Sequence, residues 1–144
     1  MLQTIQLMKS YSSDDRLAID RLKKEYELHR NLVIGYDFDS TIYDYHRQGL
    51  DLHSVITLLK QCSNLGFTMC LWTVPTETLE GMTNWDKIDY CEGLGINVDF
   101  FNTSPLFKDS KRKAFFSILL DDRAGLASTC NTLRTALLEL KLIL

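Results

Sequence analysis

The sequence has little of what marks the special classes of protein. Its four cysteines, Cys62, Cys70, Cys91 and Cys130, form no CxxC pair. That spacing speaks against a zinc site or a redox dithiol and offers no secretory disulfide framework. No apolar run reaches the ~20 residues of a membrane span. The opening "MLQTIQLMKSYSSDD" lacks a basic start followed by a long apolar stretch, so no signal peptide is expected there. The GxxxxGK[ST] loop of nucleotide kinases is missing. The formal net charge is −3, which provides no global basic field for nucleic acid or membrane. Repeats, low-complexity tracts and linkers are also missing. Reduced core thiols and a cytoplasmic setting are the expectation.

What remains is an ordinary globular composition. The chain has 144 residues, 45% hydrophobic and 24% charged, enough for one domain with a real core. "SSDDRLAIDRLKKEYELHR" (12–30) reads as a polar helix capped by Ser12, Ser13 or Asp14, at the end of an N-terminal helical extension over 1–30. "LVIGY" (32–36) is a buried strand. "DLHSVITLLKQCSNLG" (51–66) is an amphipathic helix stopped by Gly66. "FTMCLW" (67–72), "INVDFF" (96–101) and "AFFSILL" (114–120) are further strands. "WDKIDYCEGLG" (85–95) and "AGLASTCNTLRTALLELKLIL" (124–144) are helices.

Continuous apolar strands alternating with helices predict an α/β fold with a parallel sheet covered on both faces. Such sheets bind ligands outside the carboxyl ends of their strands. Three of these strands end in oxygen-bearing residues: the first in Asp37, the second in Thr73, the fourth in Asp121 and Asp122. Alternation puts Asp37 and Asp39 on one side. Four carboxylates near one point repel one another and are costly to desolvate. Mg²⁺ resolves the conflict, because it takes a few carboxylates and fills its shell with water and phosphate oxygens. Thr73 is suited to hydrogen-bond a phosphoryl oxygen, and a lysine to offset developing charge. The pattern points to phosphoryl transfer with a carboxylate nucleophile.

On these residues the chain resembles the haloacid dehalogenase (HAD) superfamily of phosphatases. "YDFDSTI" is similar to the family's D-x-D-x-T motif, "MCLWT" to its strand ending in Thr or Ser, and "ILLDD" to its strand ending in paired Asp, in the same order. The resemblance implies a Rossmann-like three-layer sandwich. It implies Asp37 as nucleophile and Asp39 as the acid that protonates the leaving oxygen and then activates water. Asp37, the backbone carbonyl of Asp39, and Asp121 or Asp122 would hold Mg²⁺. Thr73 and a lysine would bind the phosphoryl group, with Ser40 and Thr41 lining the substrate side. Lys113 is the favoured lysine because it directly precedes the fourth strand; Lys111 and then Lys108 follow.

Two departures accompany the resemblance. Ser40 stands where the family usually has glycine. Neither the interval from Thr41 to Thr73 nor that from Val74 to Arg112 leaves room for a cap domain, so a single capless domain over 1–144 with an open site is expected. Arg123 is placed to pair with a site carboxylate or to contact substrate, with pairing the first expectation. His29, His46 and His53 have no ligand spacing, and Asp44 and Tyr45 lie just past the nucleophile loop. The apolar tail "ALLELKLIL" offers a surface for a partner or a second copy. The leading expectation is a Mg²⁺-dependent phosphomonoesterase acting on nucleotides, nucleic-acid ends or phosphoproteins. The alternative is a HAD-like module that binds a phosphorylated partner without turnover.

Overall fold

Valine, isoleucine and tyrosine favour the extended backbone, and a strand buried on both faces has no use for polar alternation. In the computed structural model, Val33–Tyr36 forms β1 with every residue buried. The structure describes residues 2–74, 81–105 and 114–144, with side chains from Asp15 onward. The elements in order are α1 (Leu2–His29), β1, α2 (His53–Asn64), β2 (Thr68–Leu71), α3 (Asn84–Gly93), β3 (Phe100–Phe101), β4 (Ile118–Leu120) and α4 (Leu126–Glu139). The four strands make one all-parallel sheet in the order β3-β2-β1-β4, flanked by helices in a Rossmann-like arrangement.

Sequence and structure part company at several ends. α1 starts at Leu2, about ten residues before the expected cap, because no glycine or proline between Leu2 and His29 interrupts it. Ser12, Ser13 and Asp14 therefore lie inside a helix. Strands three and four are shorter than their apolar runs, since only Phe100–Phe101 and Ile118–Leu120 join the ladder. The last helix takes Gly125 as its N-cap, just past Asp121 and Asp122. α2 ends as expected: Gly66 takes φ +77, and the Gly66 and Phe67 amides donate to the Ser63 and Cys62 carbonyls. α3 opens on a capping box in which Thr83 and Asp86 accept each other's backbone N–H at 3.1 and 2.9 Å.

The core runs from Leu22 of α1 through Leu32, Ile34 and Tyr36 to Leu58 and Leu59 of α2 and Leu133 and Leu137 of α4. α1 is thus more than an extension. It packs on α4, and its Glu25 accepts a hydrogen bond from Ser117 Oγ, which in turn accepts from Val33 N at 2.7 Å. All four cysteines are buried and free. Burial pushes the thiols of Cys62, Cys70 and Cys91 up to about 12, so they behave as apolar filling. Leu142 and Ile143 fold partly onto the same core, which uses up part of the expected partner surface.

One glycine has a steric reason. A Cβ on Gly35 would stand 2.7 Å from the ring of Phe116, and that ring packs edge-on against Trp72. The bare backbone of β1 lets Phe116 lie flat on the sheet and brace Trp72 at the strand end.

Candidate active site

Tyr36 pairs with Leu71 on one side and Leu120 on the other, and Leu71 pairs with Phe101. The next residue of each strand must therefore leave the sheet side by side: Asp37, Trp72, Asn102 and Asp121. The ladder's last bonds fix that row. Asp37 N donates to Leu120 O at 2.9 Å, Trp72 N to Tyr36 O at 2.9 Å, and Asn102 N to Leu71 O at 2.8 Å. All four residues line one open pocket of about 730 Å³.

The loop after β1 is built to project two carboxylates. Phe38, fully buried, stacks on Tyr43 and meets Tyr90 edge-on, at centroid distances of 5.4 and 5.6 Å. Its carbonyl accepts from the amides of Thr41, Ile42 and Tyr43. With Phe38 anchored inward, Asp37 and Asp39 on either side both reach the pocket. Ser40 sits at the turn with φ +59, the left-handed region where glycine is at ease. The turn thus keeps the glycine conformation while carrying a hydroxyl side chain to the pocket wall.

Carboxylate oxygens of Asp37, Asp121 and Asp122 lie within 4.8 Å of one another, a spacing that can hold a cation. Among the described residues, no lysine, arginine or histidine nitrogen comes within 4 Å of any of them. The effect on Asp37 is large. Burial first, and then the charges of Asp121 and Asp122, raise its pKa from 3.8 to about 7, against the pull of a backbone hydrogen bond at Phe38. Asp39 stands outside this trio. Its Oδ1 is buried and has no hydrogen-bond partner among the described residues. A buried carboxylate oxygen without a partner is unusual, because burial without a hydrogen bond is costly.

The expected residues divide into three groups. Asp37, Asp39, Ser40, Thr73, Asp121 and Asp122 come together around the pocket. Thr41 does not: it is completely buried, and its hydroxyl accepts from Asp122 N at 3.3 Å, which ties the two acidic loops together. Lys108, Lys111 and Lys113 lie outside the described residues. Arg123 lines the pocket but forms no ion pair among the described residues, contrary to the expected pairing. Tyr45 and His46 stand at the mouth. The Asp44 carboxylate turns away to accept three amides, from Gln48, Gly49 and Leu50.

Two residues escaped the sequence reading. Asn102, at φ +53, accepts a hydrogen bond from Thr73 N at 2.8 Å on its side-chain oxygen and lines the pocket. An asparagine directly after a strand, where the left-handed conformation suits it, was the available signal. Lys87 of α3 is 97% buried, with 3% relative exposure, and its ammonium donates to Thr73 Oγ1 at 3.3 Å and Val74 O at 3.1 Å. Nothing in "WDKIDYCEGLG" separates it from a solvated lysine.

No protein-family model matches the chain, and no curated protein or solved structure does either. The functional reading rests on the site.

Proposed function

We propose that the protein is a Mg²⁺-dependent phosphomonoester hydrolase of the HAD type, working through an aspartyl-phosphate on Asp37. The observation that carries this reading is the trio Asp37, Asp121 and Asp122, crowded at adjacent strand ends with no protein cation in reach among the described residues. An acidic cluster so placed raises the pKa of the group best positioned to attack, which defeats a nucleophile unless a cation enters. The donor set, all hard oxygen, fits Mg²⁺. Asp37 and the pair Asp121-Asp122 would hold it, and the ion would offset the negative charge of carboxylates and phosphate together.

The chain's own residues supply the steps. An Asp37 carboxylate oxygen attacks phosphorus, the ester P–O bond breaks, and Asp39 gives its proton to the departing alkoxide. Asp39, now a carboxylate, takes a proton from water as that water attacks the phosphorus of the acyl phosphate. Inorganic phosphate leaves and the Asp37 carboxylate is restored. Asp39 suits this shuttle because it lines the same pocket as Asp37, one residue beyond Phe38. Thr73, hydrogen-bonded through its backbone to Asn102, presents its hydroxyl to the phosphoryl oxygens. The pocket is open, so a nucleotide, a nucleic-acid end or a phosphoprotein could each reach it.

The test is p-nitrophenyl phosphate hydrolysis with Mg²⁺ and with chelator. Turnover that requires the metal and disappears in Asp37→Asn supports the reading. Phosphate binding without turnover at any metal concentration replaces it with a non-catalytic phosphate-binding module.

A further inference from the structure

Lys87 presents a charge for which the described residues supply no ion pair. A lysine with only 3% relative exposure has lost nearly all its water. Such a group is ordinarily paired with a carboxylate, because an isolated buried ammonium is expensive. No carboxylate lies within 4 Å of it among the described residues. It has Thr73 Oγ1, the carbonyl of Val74, and the face of Phe38, whose ring centroid is 5.5 Å from Nζ. These contacts join the ends of β1 and β2 from below: Phe38 is the residue between Asp37 and Asp39, and Thr73 closes the opposite wall.

The chemistry of the Lys87–Thr73 contact has a direction. An ammonium only donates, so Thr73 Oγ1 accepts, and the hydroxyl proton must point elsewhere. Among the described residues no acceptor takes that proton, and Thr73 lines the pocket. From this we infer that Lys87 is a positioning residue of the site. It holds the Thr73 hydroxyl as a donor aimed into the pocket and makes this wall a receptor for a phosphoryl dianion. The inference rests on the phosphatase reading and deepens it. Its role is separate from that of a lysine touching phosphate from the β4 side. The metal trio and this donor wall then divide the site, one part binding cation and the other anion.

Inorganic phosphate, titrated calorimetrically into the full chain without and with Mg²⁺, tests this apart from turnover. In Lys87→Met phosphate affinity should fall roughly tenfold to a hundredfold, the worth of a hydrogen bond to a charged group. Thr73→Val should lose a similar factor, and the double variant little more than either, because both remove one oriented donor. A thermal melt of each variant accompanies the titration. Should Lys87→Met fail to fold, Thr73→Val carries the test, since it keeps the ammonium and removes only the hydroxyl. Wild-type affinity in Thr73→Val, or losses that multiply independently in the double variant, would overturn the inference, as would a wild-type chain that binds no phosphate. A wild-type chain that binds phosphate through Lys87 and Thr73 but hydrolyses nothing would sink the phosphatase reading alone.

Discussion

The molecule treats its carboxylates in two opposite ways. On the outer surface, Glu139 of α4 faces Arg16 and Lys23 of α1, with Arg16 also reaching Asp20 at 2.8 Å. Hydrogen bonds from Arg16 first, and from Lys23, pull its pKa down from 4.5 to about 2. At the carboxyl edge of the sheet, the charged groups nearest Asp37 among the described residues are Asp121 and Asp122, and burial together with their charges raises its pKa to about 7. Two cations reach one exposed glutamate, whereas none among the described residues reaches the acidic trio, in which Asp37 and Asp121 are half-buried and Asp122 is exposed. On the phosphatase reading the second neutralisation falls to a ligand. On that reading the contrast separates a structural carboxylate from a working one.

The most severe way to break the comparison is to remove the working charge. Asp37→Asn should abolish hydrolysis of p-nitrophenyl phosphate, whereas Asp39→Asn keeps the nucleophile and loses the proton shuttle. With a good leaving group the first step should survive in Asp39→Asn and the second should slow by about 10²–10⁴. Mass spectrometry after rapid acid quench should then show a phosphate adduct on Asp37. An adduct elsewhere, or an active Asp37→Asn, would end the nucleophile assignment.

Metal comes next. At about a hundredfold excess over its dissociation constant, Mg²⁺ should stabilise the fold by about 2.7 kcal/mol, measured as a chelator-reversible rise in Tm. Asp122→Asn should flatten that rise while Glu139→Gln leaves it intact.

Acidity sharpens the contrast further, because the two regions should respond with opposite sign. Folded Asp37 keeps its proton to about pH 7, whereas the unfolded chain gives it up near 3.8. Without metal its contribution therefore falls as pH rises through that window. Glu139 does the reverse: its contribution is present above 4.5 and lost as pH falls toward 2. Metal-free denaturation curves between pH 4 and 7 should show Asp37→Asn losing less stability with rising pH than wild type.

The smallest effect belongs to Glu139→Gln. An exposed ion pair is screened by water and salt, so the loss should be slight and should vanish at high ionic strength.

Much of this is legible in the sequence. Apolar runs stopping at Asp37, Thr73 and Asp121-Asp122 announce strand ends, and parallel strands bring their ends together. Which residues leave the sheet abreast depends on register, and no single strand encodes that. Asn102 was hidden for that reason. Lys87 was hidden for another: a lysine's burial is decided by what folds over it, here Thr73, Val74 and Phe38 from two other segments. Thr41 matched a motif yet faces the interior, since the turn that presents Ser40 sends the next hydroxyl inward to Asp122 N.

Among the described residues the sheet's outer strands are very short, two residues in β3 and three in β4. An incoming strand would find only a few open amides and carbonyls, so the folded protein is a poor template for edge-to-edge growth. The hazard moves to the chain before it folds. "FTMCLW" and "AFFSILL" are apolar, uncharged and free of proline, the composition of segments that zip into cross-strand assemblies when exposed. The same unbroken apolar runs that carry Asp121 and Thr73 to the sheet edge thus make solubility a matter of folding speed. Losses in recombinant yield should track how long those two segments stay uncovered.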